Sequence, residues 1–389
     1  MNRCAIVVFY DQEGVVDQSV HTLISELQKV STHVICVVNG FIREQDLQYL
    51  ESTVDEMILR DNNGLDGGAY QDVICNHIGM NQLREYDEVL LCNTTFFGFF
   101  QPLELIFEKM SNDTCDFWGI DYCERTPFFA HIGSYFMVFR KSTVISGELH
   151  GFFEQMKEIH DHRDASIEYE LGIYRYFTEH GYHSGAYLGE LKYNFYQCPH
   201  YALTELGYPV LKKRIFCERY YNKDRAYRAL QIIGQYEHDY LTEILDSINR
   251  IYGKHLEREE VLSYHIQDEE SGIEIGNHAN TTITAESLEA YSKGIKELYV
   301  YGVGSYGIAV MYSHALQECC KRNQVSIRGF LVSDGHRVEE YYQEYPIYEL
   351  EEIVSSQDVG IIVGMDQEHT NEVRQRLNQN DNVLYMWDT

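Results

Sequence analysis

The sequence predicts an α/β protein with a doubly wound sheet domain at residues 1–215, a helical connector and linker at 216–293, and a second, smaller α/β domain at 294–389. Three observations favour this fold. Strand-like apolar segments alternate with segments of helical spacing in the first 60 residues. A glycine-rich loop follows the third of these strands. Near residue 298 another strand begins, and a glycine turn and a helix follow it. A chain of 389 residues is long enough for two domains.

The N-terminal alternation consists of predicted strands at residues 5–9, 33–38 and 57–60 and a predicted helix at 16–30. Such a β-α-β-α-β unit indicates a parallel sheet, and ligands of parallel sheets bind at the carboxyl ends of the strands. Tyr10 and Asn39 directly follow the first two strands. Both are therefore predicted to line a ligand cleft.

Residues 58–70, ILRDNNGLDGGAY, form the most informative segment. Its glycines lack a Cβ, so the backbone can adopt a positive φ and approach a ligand, and the helix that follows can direct free N–H groups at an anion. Asp66 and the asparagines are predicted to bind ribose or sugar hydroxyls, although an ordinary strand-to-helix turn uses the same residue types. The predicted ligand-binding residues of this segment are Arg60, Asn62, Asn63, Gly64, Asp66 and Gly68.

Two further predicted strands end in polar residues. Residues 86–98, YDEVLLCNTTFFG, run into Asn93-Thr94-Thr95, and residues 115–121, CDFWGID, end in Asp121. Three polar strand ends in one half of the chain predict a single cleft, because parallel strands present their carboxyl ends at one edge.

These motifs, with HIGSYFMVFRK at 131–141 and IEYELGIYRYFTEHGY at 167–182, resemble the rhamnan synthesis protein F family of bacterial glycosyltransferases over roughly residues 3–215. The resemblance implies a GT-A fold, a nucleotide-binding α/β sandwich that transfers a sugar, typically rhamnose, from a nucleoside diphosphate donor to a growing polysaccharide. The expected donor is dTDP-rhamnose, and the expected acceptor is a saccharide or a lipid-linked molecule. The strand-end loops would hold the base, ribose and diphosphate, and transfer would be inverting.

A GT-A enzyme usually carries Asp-x-Asp at the end of a central strand, because two carboxylates hold a divalent cation that bridges the donor phosphates. This chain has Asn93-Thr94-Thr95 there, and the family more often has Asp at the position of Thr94. Weak or absent metal binding is therefore expected. In one alternative, Asp121 or Asp116 supplies the carboxylate that binds the cation. In the other, the metal site is degenerate and the chain is a non-catalytic sensor of a sugar nucleotide or dinucleotide.

Inverting transfer needs a general base near the acceptor hydroxyl. Glu170 matches the acidic position of the family and is predicted to lie near a helix N-terminus, where negative charge is favoured. A first-turn helix acid without a catalytic role is the alternative. Glu168 and Asp121 are the next candidates for the base.

The segment 131–141 predicts a strand whose first residues, His131 and Ser134, contact the acceptor. A structural histidine is the alternative. The family usually has Gln where Gly133 stands. Trp118 is either a platform for a sugar ring or a core residue, because its neighbours are mostly apolar.

The character of the sequence changes after residue 211. The basic run Lys212-Lys213-Arg214 could hold the leaving diphosphate, mark a membrane-facing side, or be a solvated helix start. Residues 226–251 have strong helical periodicity, and residues 268–284 have the polar, Gly- and Asn-rich composition of a linker.

The second domain opens with LYVYGVGSYG at 298–307, a strand followed by G-x-G-x-x-G, and then a predicted helix at 308–320. In this context Gly302, Gly304 and Gly307 are predicted to bind a nucleotide, with Asp334 on its ribose. Asp334 follows a strand at 327–332, and further strands are predicted at 360–363 and 383–387. The domain resembles small Rossmann-like modules, although tight helix–strand packing also explains the glycines. An NAD-dependent oxidoreductase is the least favoured class, because so short a domain leaves little room for substrate.

Composition limits the partners. Lys+Arg 31 against Asp+Glu 61 gives a net charge of −30, which disfavours nucleic acid and anionic membrane surfaces. The N-terminal residues lack the pattern of a signal peptide, and no stretch is apolar enough to span a bilayer. The ten cysteines have neither zinc-site nor disulfide-framework spacing and predict reduced thiols. The expected location is the cytoplasm, with peripheral contact at the inner face of the membrane where a lipid-linked acceptor would lie.

Overall fold

The structure, a computed structural model, describes residues 1–123, 130–189, 195–196, 198–218, 220–236, 238–265, 283–353, 356–365, 367–377 and 382–386. These residues form two compact units. The first contains the described residues of 1–122, 132–161 and 173–276, and the second those of 123–131, 162–172 and 277–389. Most of the predicted linker at 268–284 and the end of the predicted strand at 383–387 lie outside the described residues. The division into three parts stays a prediction.

The strands up to residue 212 are β1 (Arg3–Phe9), β2 (His33–Asn39), β3 (Glu56–Arg60), β4 (Glu88–Asn93), β5 (Phe96–Gly98), β6 (Phe117–Gly119), β7 (Tyr122–Cys123), β8 (His131–Ile132), β9 (Phe136–Arg140), β10 (Ser184–Ala186) and β11 (Val210–Lys212). Seven of them form a sheet in the order β10-β6-β9-β4-β1-β2-β3. All its neighbours are parallel except β9, which is antiparallel to β4 and β6. The predicted α/β fold with a largely parallel sheet is confirmed. A separate antiparallel pair joins β5 to β11.

The helices of this part of the chain are α1 (Gln18–Val30), α2 (Glu44–Thr53), α3 (Leu65–Asp72), α4 (Gly79–Leu83), α5 (Leu103–Met110), α6 (Lys141–Ser146), α7 (Glu148–Gln155), α8 (His162–Asp164), α9 (Gly172–Glu179), α10 (Pro199–Glu205), α11 (Lys223–Ile233), α12 (Tyr240–Tyr252) and α13 (Arg258–Ser263). Two π-helical segments, Val73–Ile78 and Ala165–Leu171, and a 3₁₀ turn at Lys213–Phe216 complete the list.

The sheet is covered on both faces, which explains why its central strands are apolar between their polar ends, Arg3 in β1 and Glu88 and Asn93 in β4. All seven residues of β1 are buried. Neighbouring residues of β6 face opposite sides: the ring of Trp118 packs against Phe107 of α5, and the ring of Phe117 packs against Phe177 of α9. Continuous apolar runs such as AIVVF therefore specify a strand buried between two helical layers.

The predicted helix at 226–251 is two helices, α11 and α12, and α13 follows them. The break is encoded locally, because Gly234 is the C-cap of α11 and Asp239 caps α12 by accepting the amide of Thr242. Phe97 of β5 and Leu211 of β11 share a hydrophobic core with these helices. The connector helices therefore belong to the first unit.

The strands of the second unit are β12 (Glu297–Tyr301), β13 (Ser326–Val332), β14 (Tyr341–Tyr342), β15 (Tyr345–Glu349), β16 (Val359–Val363) and β17 (Val383–Tyr385). Its helices are α14 (Ala285–Ser292), α15 (Ser305–Met311), α16 (His314–Asn323) and α17 (Gln367–Leu377), with a 3₁₀ turn at Leu350–Glu352. The predicted helix at 308–320 is divided, because Ser313 caps α16. The sheet order is β14-β15-β13-β12-β16-β17, parallel except for β14. If the five parallel strands β12, β13, β15, β16 and β17 are numbered 1 to 5 along the chain, their order across the sheet is 3-2-1-4-5. This is the arrangement of dinucleotide-binding sheets.

In the first unit, β1, β2, β3, β4 and β6 run in the same direction, so their carboxyl ends lie at one edge of the sheet. The connection order reverses between β1 and β4, because β2 and β3 extend the sheet to one side of β1 and β4 lies on the other. Open α/β sheets bind ligands at such a reversal. None of the helices among the described residues is long and apolar enough to cross a membrane.

Candidate functional site

The ends of β2 and β3 are joined by hydrogen bonds among predicted site residues. Arg60 donates from Nη1 to Oδ1 of Asn39 at 2.7 Å and from Nη2 to the carbonyl of Asn63 at 2.7 Å. The amide of Asn39 donates to Oδ1 of Asn62 and to the carbonyl of Leu65, each at 3.1 Å. The guanidinium of Arg60 therefore fixes the glycine loop against the neighbouring strand end.

The glycines of this loop are required by its own backbone. Gly64 has a φ of +75°, in the left-handed region, and a Cβ on it would lie 2.9 Å from Cα of Gly68. A Cβ on Gly68 would lie 2.7 Å from the carbonyl oxygen of Asn63. Side chains at these positions would force the loop open, because contacts this short are not tolerated. The loop then passes directly into α3 at Leu65.

Asp66 connects the glycine loop to the end of β4. Its Oδ2 accepts a hydrogen bond from the amide of Asn93 at 2.7 Å, and Oδ1 of Asn93 accepts the hydroxyl of Thr95 at 2.7 Å. Thr94 is buried and Thr95 is exposed. Asn93, Thr95 and Asp66 therefore lie side by side at the point where the connection order of the sheet reverses.

Tyr10, at the end of β1, is 52% exposed at the same edge, whereas Asp11 is already bound. Arg250 of α12 donates to Oδ2 of Asp11 at 2.8 Å and to Oδ2 of Asp17 at 3.1 Å. Sequence reasoning missed Arg250, because nothing in the spacing of a charged helix indicates a partner more than 230 positions away. The ring of Tyr10 is therefore exposed in the loop after β1, and its contact with a ligand stays a prediction.

Asp121 is held in a buried cluster of tyrosines. Its Oδ2 accepts the hydroxyl of Tyr135 at 2.6 Å and that of Tyr208 at 2.5 Å. Burial, reinforced by the negative charge of Asp121, raises the pKa of both tyrosines well above the ordinary value. A Cβ on Gly133 would lie 2.6 Å from Oδ1 of Asp121, so the glycine makes room for this cluster. The geometry favours a structural role for Asp121.

The side chains at the end of β4 do not fit a divalent cation. Hard cations take several oxygen ligands, mostly carboxylates. Here Asn93 and Thr95 are neutral, Asp66 accepts the Asn93 amide, and Asp121 holds two tyrosine hydroxyls. Among the described residues, no group of three or more His, Cys, Asp or Glu side chains is placed to hold a metal ion.

On the acceptor side the structure selects the core alternative for Trp118 and shows that the predicted strand at 131–141 is wrong. Trp118 is fully buried between Phe107 and Phe136, so it packs in the core and offers no platform to a sugar. The predicted strand at 131–141 is interrupted: β8 ends at Ile132, β9 begins at Phe136, and α6 begins at Lys141. His131 and Ser134 are both half-buried, and their contact with an acceptor stays a prediction.

The predicted setting of Glu170 is also wrong. The helical run begins at His162 and continues through the π-helical segment Ala165–Leu171 into α9. Glu168 and Glu170 therefore lie well inside a helix, and the macrodipole of an N-terminus does not act on them. Both side chains are half-buried, and the hydroxyl of Ser166 donates to Oε2 of Glu170 at 3.3 Å. They belong to the second unit, whereas the glycine loop and Asp66 belong to the first.

A cavity of about 780 Å³ adjoins the glycine loop of the first unit. Its wall includes Gly64 and Gly68 of the loop and the carboxylates of Asp61, Asp72 and Glu154. The cavity is large enough for a ligand the size of a sugar nucleotide, since small-molecule sites typically measure about 300–1,000 Å³.

In the second unit the glycine turn between β12 and α15 has a clear packing role. A Cβ on Gly307 would lie 1.9 Å from the carbonyl oxygen of Gly302, and Gly302 itself has a φ of +107°. Gly304 faces open space, so packing does not require it. Asp334 accepts the amide of Glu351 at 2.9 Å. Packing therefore explains two of the three glycines, and nucleotide binding by this turn stays a prediction.

The fold and this arrangement of polar strand ends define the class: an α/β protein with a cluster of polar side chains at the carboxyl edge of a parallel sheet. The model of the rhamnan synthesis protein F family matches residues 34–281. The chain belongs to that family, and this membership supports a glycosyltransferase function that uses a nucleotide-sugar donor.

Comparison with curated proteins gave no match. Several solved structures are similar at low identity. HddC from Yersinia pseudotuberculosis is 13% identical over 41% of this chain and 89% of its own, with a TM-score of 0.26. TarS 1-349 from S. aureus is 10% identical over 75% and 79%, with a TM-score of 0.32. The glycosyltransferase GlyE from Streptococcus pneumoniae TIGR4 is 12% identical over 97% and 90%, with a TM-score of 0.32. Because these TM-scores are low, the family assignment depends on the family match and the fold assignment on the sheet topology.

Proposed function

We propose that the protein transfers rhamnose from dTDP-rhamnose to a saccharide or lipid-linked acceptor with inversion at the anomeric carbon. The observation that carries this proposal is two hydrogen-bonded pairs, Asn39 with Arg60 and Asp66 with Asn93, at the carboxyl edge of a parallel sheet in a chain of the rhamnan synthesis protein F family. Amide and carboxylate oxygens bind ribose and sugar hydroxyls, and the glycine loop lets the backbone approach a diphosphate. Glu170 is proposed as the base that takes the proton of the acceptor hydroxyl.

The donor site is tested by thermal unfolding with dTDP-, UDP- and GDP-sugars. A ligand that binds only the native state raises the unfolding midpoint. We expect dTDP-rhamnose to raise the midpoint of the parent protein, and Asp66→Ala to abolish this increase because the variant loses the carboxylate that joins the glycine loop to Asn93.

Glu104→Ala is the matched control, since it removes an exposed carboxylate from the first turn of α5. It should respond to the sugar nucleotide as the parent does. An undiminished increase in Asp66→Ala would place the donor elsewhere. No response of the parent to any sugar nucleotide would remove the proposed activity.

Sugar transfer should depend only weakly on a divalent cation, because the end of β4 presents neutral side chains where a metal-binding carboxylate is usual. EDTA is expected to lower the initial transfer rate by less than about twofold in a radiolabelled-sugar assay, because neutral side chains bind hard cations poorly and little metal would be there to remove. Restoration of a lost rate by Mg²⁺ or Mn²⁺ alone would contradict this expectation.

A further inference from the structure

Lys212 lies at the strand-end edge of the first unit. It is the last residue of β11 and pairs with Phe96 of β5, and Phe96 lies three positions after the end of β4 at Asn93. Its Nζ lies 3.4 Å from Oγ1 of Thr95 and 3.5 Å from the ring centroid of Tyr135. The residue is only 8% exposed. Contact with an aromatic face and a hydroxyl positions the ammonium group in a partly buried setting, where its electrostatic interactions are stronger than in water.

The two neighbouring cations point elsewhere. Lys213 lies over the ring of Phe97 at 5.0 Å, and its charge acts on Asp17 near the start of α1. Arg214 is exposed, with its guanidinium 5.4 Å from the ring centroid of Tyr220. Of this basic run, Lys212 is the member that adds a positive charge to the hydrogen-bonded series Thr95, Asn93 and Asp66.

Sugar transfer builds negative charge on the diphosphate. The bond between the anomeric carbon and the phosphate oxygen breaks, its electron pair goes to that oxygen, and the acceptor oxygen bonds to the carbon and gives its proton to the base. A cation already in place at the leaving group lowers the activation free energy of this step, because it stabilises the charge that develops in the transition state. Lysine is a regular phosphate ligand that acts as a point charge.

Resting on the proposed function, we propose that Lys212 binds the diphosphate of the donor. The end of β4 lacks the carboxylates that would hold a metal ion, and Lys212 supplies positive charge at the diphosphate in place of that ion. In this role the hydroxyl of Thr95 and the ring of Tyr135 hold the ammonium group toward the site. Tyr135 is itself fixed by its hydrogen bond to Asp121, which gives the buried tyrosine cluster a positioning function.

The proposal is tested by titration calorimetry. The parent is first titrated with dTDP, UDP and GDP, and the tightest of these is then compared with its own nucleoside. Lys212→Met should weaken binding of the diphosphate at least tenfold and leave binding of the nucleoside unchanged, because only the phosphates lose a partner. Lys212→Arg should keep most of the preference for the diphosphate. Arg214→Gln, the control from the same run, should behave as the parent.

Equal affinity of the parent and Lys212→Met for the diphosphate would overturn the role of Lys212 while leaving the proposed function in place. A parent that binds none of the three nucleotides would instead defeat the proposed function, and the inference with it. Should Lys212→Met fail to fold, a crystal structure of the parent with the bound nucleoside diphosphate decides the question. Nζ of Lys212 is expected about 3 Å from a phosphate oxygen; phosphates bound without contact to Lys212 would overturn the proposal.

Discussion

The carboxylates and the large aromatic residue near the strand ends differ in role because their partners differ. Asp66 accepts a neutral amide beside an exposed threonine and remains at the edge of the sheet. Asp121 is buried under two tyrosine hydroxyls. Trp118, three positions before Asp121, is fully buried. Asp66 and Asp121 follow strands and Trp118 lies within one, so position in the sequence alone does not separate a residue at the open edge of the sheet from a core residue.

At the residue scale the proposed base gives a sharp prediction. Glu170→Gln keeps the shape of the side chain and removes its charge, so transfer should fall by about a hundredfold or more while donor binding is retained, since general-base catalysis typically contributes about 10²- to 10⁴-fold. The measurement is kcat in a transfer assay together with the Kd of the donor.

Glu168→Gln is the matched control for the base. It lies two positions away on the same π-helical segment, and residues so spaced point in different directions. Its activity should stay within a few-fold of the parent. Full activity of Glu170→Gln would pass the role to another acid, and loss of donor binding would indicate a structural role instead.

At the scale of elements, α12 is tied to the start of the sheet by charge. Arg250 contacts Asp11 after β1 and Asp17 at the N-cap of α1, and its side chain is 21% exposed. Burial opposes ionisation of Asp17, but the charge of Lys213 and hydrogen bonds from Ser19, Ser247 and Arg250 outweigh it, so the pKa of Asp17 lies below its ordinary value. The helical connector thereby holds the loop after β1 in place.

Arg250→Met should therefore lower the free energy of unfolding by about 3 kcal/mol at neutral pH, because it leaves two largely buried carboxylates without their partner. Arg258→Met is the control, since its ion pair with Asp239 is exposed and should contribute less than about 1 kcal/mol. Urea unfolding measures both variants.

The sign of the pH dependence follows from the depressed pKa of Asp17. Its contribution is present above the unfolded pKa of about 4 and is lost as the pH falls through the lower, folded value. The difference between the parent and Arg250→Met should therefore shrink below about pH 4. A difference that stays constant through this range would show that the charge pairs do not account for the destabilisation.

At the scale of the whole molecule, the net charge of −30 makes the native state repel itself. Raising the ionic strength from about 10 mM to about 150 mM shortens the Debye length from about 30 Å to about 8 Å. The thermal midpoint should rise by a few degrees, equally in NaCl and KCl, because screening does not depend on the cation. A midpoint that falls, or that responds to one salt only, would indicate that specific ion pairs or ion binding outweigh this repulsion.

The sequence by itself determined strands β1 to β4 and β6 of the sheet, the glycine loop and the polar strand ends. These features depend on local properties: apolar runs, the left-handed backbone of Gly64, and alternation of segments along the chain. The start of the helix at His162 was not visible, since the apolar periodicity becomes regular only further along. Only the tertiary structure decided that Tyr208 closes over Asp121 and that Lys212, rather than Lys213 or Arg214, reaches Thr95. These pairs lie 87 and 117 positions apart. Which side chains meet over such distances depends on strand order and packing, which no local pattern encodes.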